Sequence, residues 1–94
     1  MIKATKEFKM SYELNGVSGS LKVESDYAIQ QGYFGTKVDE VKEWHRPELK
    51  ELSINEAYFI KAGSLIENKL SKAEINEVYK DVKNYIEENI EDFI

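Results

Sequence analysis

Residues 2–24 read IKATKEFKMSYELNGVSGSLKVE, and the Asn15-Gly16 pair inside them decides the fold. A type I′ turn needs positive φ at both central residues, a conformation that Asn and Gly accept at the lowest steric cost. Both flanks alternate with period two. Ile2, Ala4, Phe8, Met10, Tyr12 and Leu14 fall on one face of the first strand, against Lys3, Thr5, Glu7, Lys9, Ser11 and Glu13, and only Lys6 breaks the apolar set. Val17, Gly19, Leu21 and Val23 alternate with Ser18, Ser20, Lys22 and Glu24 in the second. A two-residue loop sets Leu14 opposite Val17, Tyr12 opposite Gly19, Met10 opposite Leu21 and Phe8 opposite Val23, so one face is apolar throughout. An antiparallel hairpin over 2–14 and 17–24 follows, with the Tyr12 ring placed to cover Gly19.

Beyond the hairpin the spacing reads as helical, which makes the chain an α+β domain with two or three helices over 37–45, 54–69 and 72–92. Thr36 with Asp39 resembles a capped start, and Val38, Val41 and Trp44 or His45 recur at helical spacing until Arg46-Pro47 disfavours continuation. Ser53-Ile54-Asn55-Glu56 has the form of a capping box, followed by Ile54, Ala57, Tyr58, Ala62, Leu65, Ile66 and Leu70 at helical intervals. A strand over 56–62 is the alternative, because Tyr58-Phe59-Ile60 suit a strand and Gly63 costs a helix about 1 kcal/mol relative to Ala. Ser71-Lys72-Ala73-Glu74 opens the last helix, whose apolar residues Ile75, Val78, Tyr79, Val82, Tyr85, Ile86, Ile90 and Phe93 cover an arc of about 140°. Ser25 to Gly35 reads as irregular, with a turn at each glycine.

The formal net charge is −5, and residues 71–94 hold seven acids and three lysines, which place −4 of it in the last helix. Such a balance argues against nucleic acid as a direct partner, since phosphate binding draws on clustered Lys and Arg. Lys3, Lys6, Lys9 and Lys22 could form a basic surface, but Glu7, Glu13 and Glu24 interrupt it. The absence of cysteine excludes disulfides, thiolate metal sites and cysteine nucleophiles. Nothing approaches the length of a membrane span, and the alternating pattern begins at once without a secretory apolar region, so cytoplasmic residence is expected.

Two groups of residues are candidate sites. The first is Glu87, Glu88, Glu91 and Asp92 in the final turns of the last helix, where carboxylates oppose the negative end of the helix dipole and repel one another at i,i+4. A local cost of that kind suits either solubility or a basic protein partner. The second is Tyr33, Trp44, His45 and Arg46, which offer flat rings, the single imidazole and the single arginine to an anionic or nucleotide-like ligand. The structural alternative makes Trp44 a core anchor, solvates His45 and Arg46 at a helix end, and packs Tyr33 and Phe34 in the core or at a hinge. Gln30 to Thr36 could also receive an anion on its backbone, but it lacks the Gly-Lys-Ser/Thr of a P-loop and reads first as a connection.

No catalytic constellation emerges. His45 has no nucleophile motif beside it, the paired carboxylates Asp39-Glu40 and Glu87-Glu88 share one environment, and His45 with Glu43 or Glu48 matches no metal-ligand spacing. Neither a cofactor nor a metal is expected. Asn89 falls in the apolar arc of the last helix, where it either reaches water or sets register in an oligomer. The sequence expectation is therefore a small acidic protein-interaction module, an inhibitor or modulator whose acidic helix covers a basic site on a partner, with homodimerisation as a source of extra buried area. A small oligomeric binder of an anionic ligand is the alternative.

Overall fold

The computed structural model describes residues 1–36 and 42–94. The chain has an α+β fold in which one helix covers one face of a four-stranded antiparallel sheet. Strand β1 (Ile2–Leu14) and strand β2 (Val17–Gln30) form the hairpin, β5 (Glu48–Lys61) pairs with the other side of β2, and the two-residue β6 (Asn68–Lys69) pairs with β5. The order is β1-β2-β5-β6. Between β2 and β5 the chain extends into a separate two-stranded arm, β3 (Tyr33–Thr36) against β4 (Lys42–His45). Helix α1 (Lys72–Glu88) and a 3₁₀ turn at Ile90–Phe93 complete the element order. The molecule is 57 Å long and 20 Å across. No helix among the described residues is long and apolar enough to cross a membrane.

Turn chemistry and pattern agree in the hairpin. Asn15 and Gly16 take φ of 51° and 80°, and Leu14 faces Val17, Tyr12 faces Gly19, Met10 faces Leu21 and Phe8 faces Val23. The register continues without a shift to Ile2 opposite Ile29, so β2 runs six residues beyond the expected end at 24. The stretch read as irregular is thus largely strand. Tyr12 does face Gly19, yet a methyl group added at Gly19 would meet Ile60 and Phe59 of β5 first.

The expected helix over 54–69 is instead β5, a turn and β6. Within that stretch a bulge sets Ile54 and Ala57 three apart, and a second bulge lies just before it. Asn55 and Lys50 are bulge residues: β2 steps by one from Glu24 to Ser25 while β5 steps from Glu56 to Ile54, and again from Ala28 to Ile29 against Glu51 to Leu49. Each bulge inserts one residue, so the inward side chains Leu49, Leu52, Ile54, Ala57 and Phe59 are spaced by three and two in alternation, which resembles helical spacing. The expected helix over 37–45 is also corrected, because 42–45 is strand β4; residues 37–41, with Asp39-Glu40, lie outside the described residues. A single α-helix is found among the described residues.

That helix forms as its sequence demands. Ser71 accepts from the Glu74 N–H at 3.2 Å and donates its own N–H to Glu74 Oε1 at 3.0 Å, a reciprocal cap. Val78, Val82 and Ile86 are fully buried against Leu21, Val23, Ile29 and Ala57, and Ile90 and Phe93 extend the stripe. Phe93 meets the rings of Phe8 and Tyr27 edge-on at 5.1 and 5.5 Å, while Tyr85 stacks on Phe8 at 5.4 Å. Polar tethers fix the helix at both sheet flanks. Tyr12 donates to Asp81 at 2.7 Å, which pushes its pKa up to about 12, and Tyr79 donates to the Leu52 carbonyl at 3.1 Å. The helix ends at Asn89, whose amide side chain donates to the Tyr85 carbonyl at 2.9 Å. Asn89 is therefore a cap, which accounts for its place in the apolar arc.

Among the described residues one buried side-chain group is left without a partner. Ser25 lies fully buried on the helix-facing side of β2, and its hydroxyl makes no hydrogen bond. Ser25→Ala is expected to raise stability by about 1 kcal/mol, since desolvating an unpaired hydroxyl is costly and the methyl group fits the same space. Urea denaturation checks this, and a loss of similar size would show that a buried water satisfies the hydroxyl.

Candidate functional site

Arg46-Pro47 separates β4 from β5 along the chain, because proline has no N–H to give a ladder and restrains the residue before it. Opposite it, Gln31-Gly32 breaks β2 from β3. The arm thus leaves the sheet at a two-sided break, and its strands alternate across two faces. Tyr33 stacks on His45 at 4.5 Å and 12°, while Phe34 meets Trp44 at 5.0 Å. Successive side chains on a strand point to opposite faces, so these are two separate aromatic pairs, one on each side of the arm.

The rings are exposed: Tyr33 by 50%, Phe34 by 65% and Trp44 by 53%. Trp44 is not a core anchor, and Tyr33 and Phe34 do not fill the core, which corrects that reading. The core is already closed by α1, and a two-stranded arm has no second layer to bury its faces. Trp44 is held by local contact, for a methyl group on Gly32 would lie 2.5 Å from its Cζ2 and Cη2 atoms.

The end of α1 arrives beside this break. A groove of about 310 Å³ is lined by Trp44, Arg46 and Pro47 on one side and by Glu88, Ile90, Glu91 and Asp92 on the other. An adjoining groove of about 370 Å³ is bordered by Arg46, Pro47, Lys83 and Glu87. All four acidic residues read from the sequence therefore gather around Pro47, together with Trp44 and Arg46 from the second candidate set. Tyr33 and His45 stay apart as a stacked pair, so the four proposed ligand-binding residues do not converge on one point.

Besides Arg46, two lysines bring counter-charge near the acidic end among the described residues. Lys83 reaches Glu87 at 3.9 Å one turn earlier. Lys6, the one break in the apolar face of β1, sends its ammonium over the Phe93 ring at 4.6 Å and donates to the Asp92 carbonyl at 2.5 Å. A cation is thereby supplied to the negative end of the final turn by the opposite end of the chain, while its aliphatic stem covers apolar surface. Sequence spacing within the helix could not reveal it.

On the far face of the sheet Glu7, Glu24 and Glu56 stand side by side, and Lys9, Lys22 and Tyr58 form the next row. Lys22 relieves part of the repulsion by reaching Glu7 at 3.5 Å and Glu67 at 3.2 Å. Beside them, the Asp26 carboxyl is held below its ordinary pKa by hydrogen bonds from the side chains of Thr5 and the bulge residue Asn55. Among the described residues no three His, Asp or Glu side chains gather as a metal site. Compared with protein-family models, curated proteins and solved structures, the chain matches none.

Proposed function

We propose that the chain is a protein-interaction module that takes a basic segment of a partner protein into the groove between the acidic end of α1 and the base of the aromatic arm. The observation that carries this reading is the gathering of Glu88, Glu91 and Asp92 around the exposed Trp44 ring. A guanidinium or ammonium group in such a place meets carboxylates on one side and the negative face of an indole on the other, two attractions that reinforce each other. Arg46 borders both grooves and Lys83 the adjoining one, and together they lower the net field, which favours one or two cationic side chains over a long polybasic tract. By occupying a basic surface, the module acts as an inhibitor or modulator of its partner rather than as an enzyme. Self-association belongs to the same reading, since a chain of this length buries a small core and gains from shared area.

The test is a variant carrying Glu88→Gln, Glu91→Gln and Asp92→Asn, compared with Trp44→Ala. Glu88 ends α1, where its neutralisation relieves an unfavourable dipole contact worth about 0.3 kcal/mol, while Glu91 and Asp92 are exposed on the 3₁₀ turn beyond the cap, so stability is expected to hold or rise slightly. Capture of the basic partner from lysate, read by mass spectrometry, is expected to disappear from both variants. Wild-type capture should weaken as salt screens the attraction. Undiminished capture by the neutralised variant defeats the reading.

A further inference from the structure

Among the described residues β1 pairs only with β2, and its thirteen residues leave one whole side of the strand open. The groups on that side can be named. A two-residue type I′ turn closes on Leu14 and Val17 as a hydrogen-bonded pair, and the alternation of an antiparallel ladder then turns the N–H and C=O of the even residues toward β2. The other ladder agrees, for the Ser18 carbonyl accepts from Ala62 N–H on the β5 side at 3.0 Å, which leaves the groups of Val17 facing β1. Lys3, Thr5, Glu7, Lys9, Ser11 and Glu13 therefore offer their backbone groups outward.

We propose that this edge pairs antiparallel with the same edge of a second copy, about a two-fold axis at Phe8. In that register Lys3 faces the partner's Glu13, Thr5 faces the partner's Ser11 and Glu7 faces the partner's Lys9, and each pair occurs twice by symmetry. Moving the register by two residues sets Glu7 against Glu7 or Lys9 against Lys9. Moving it by one sends the apolar faces to opposite sides of the joined sheet. The charge order along the solvent face of β1 is thus complementary to itself in one register. On the helix side the same register joins Ile2 to Leu14, Ala4 to Tyr12 and Phe8 to Phe8, which continues the apolar face from one copy to the next.

Lysines and inward charges on an edge strand commonly guard against such pairing. Here Lys3 and Lys9 each meet a glutamate, and the Lys6 ammonium is directed onto Phe93 and the Asp92 carbonyl. The edge is left open. The product is a continuous sheet of twice the four strands in each copy, an isologous contact that closes at two.

Sedimentation equilibrium and native mass spectrometry over a concentration series test it. The wild type is expected to dimerise. Lys9→Glu places a carboxylate opposite Glu7 of the second copy and should weaken the dimer roughly tenfold or more, counting both symmetric pairs. Within the chain position 9 faces Lys22, which offsets the repulsion that the new carboxylate meets from Glu7 and Glu24 in the adjacent row, and circular dichroism checks that the variant stays folded. Adding Glu7→Lys should restore the dimer. Ser11→Pro, which deletes only an outward N–H, should give a folded monomer by circular dichroism. A wild type that stays monomeric throughout overturns the proposal. So does a dimer that survives Ser11→Pro in the folded variant, or one indifferent to the Lys9→Glu and Glu7→Lys exchange.

Discussion

Replacing Ile86 with Ala is expected to remove about 3.5 kcal/mol of stability, because its side chain is fully buried midway along the stripe that α1 lays on the sheet. Deleting those carbons forfeits their transfer energy and leaves a cavity that a two-layer fold closes poorly. A chain of 94 residues at ordinary stability holds roughly 5–14 kcal/mol in all, so the variant keeps its fold with a much narrower margin. The urea midpoint should fall while the slope stays constant. Glu87→Ala, one residue along and exposed, should cost less than about 0.5 kcal/mol. Equal effects at the two positions would mean that the helix does not pack by the face described.

Gly19→Val is expected to be nearly as damaging, by a different route. A side chain here would overlap the Ile60 carbonyl oxygen and approach the Phe59 ring at 2.8 Å. The ring could turn aside, but the carbonyl belongs to the backbone of β5 and moves only with the strand. Overpacking of this kind costs about 3 kcal/mol, equivalent to a melting temperature lower by about 15 °C. Gly16→Val makes a useful comparison. Nothing lies within 4 Å of a methyl group there, so its cost arises from φ of 80° alone. Thermal melts of both variants separate crowding from backbone strain, and a Gly19→Val protein that melts with the wild type would contradict the close approach of β5.

The hairpin and the last helix were legible because local signals agreed with one another: Asn15-Gly16 with strict alternation, and Ser71 with Glu74 ahead of a sustained apolar stripe. Strand β5 was not. Its two bulges lengthen the interval between inward residues from two to three, and Ser53-Ile54-Asn55-Glu56 supplies a capping pattern that β pairing overrides. The arm was hidden for another reason. Strands of four residues give too few alternations to read, and their aromatic pairs form across the hairpin, so Trp44 beside His45 conceals that Trp44 belongs with Phe34. The candidate site was legible in halves. Its acids and its tryptophan stand more than forty positions apart in the chain, and only the path of α1 across the sheet brings them to one groove.

The bond from Lys6 to the Asp92 carbonyl ties the first strand to the final turn, and α1 comes after the six strands of the described residues. During translation at about 5–20 residues per second, β1 leaves the ribosome several seconds before the helix that covers it. Through that interval Phe8, Met10, Leu21 and Val23 have no lid, and a nascent sheet with a bare face and an open edge invites chaperones or aggregation. Chains ending ahead of Lys72 would lack the side chains that cover this apolar face.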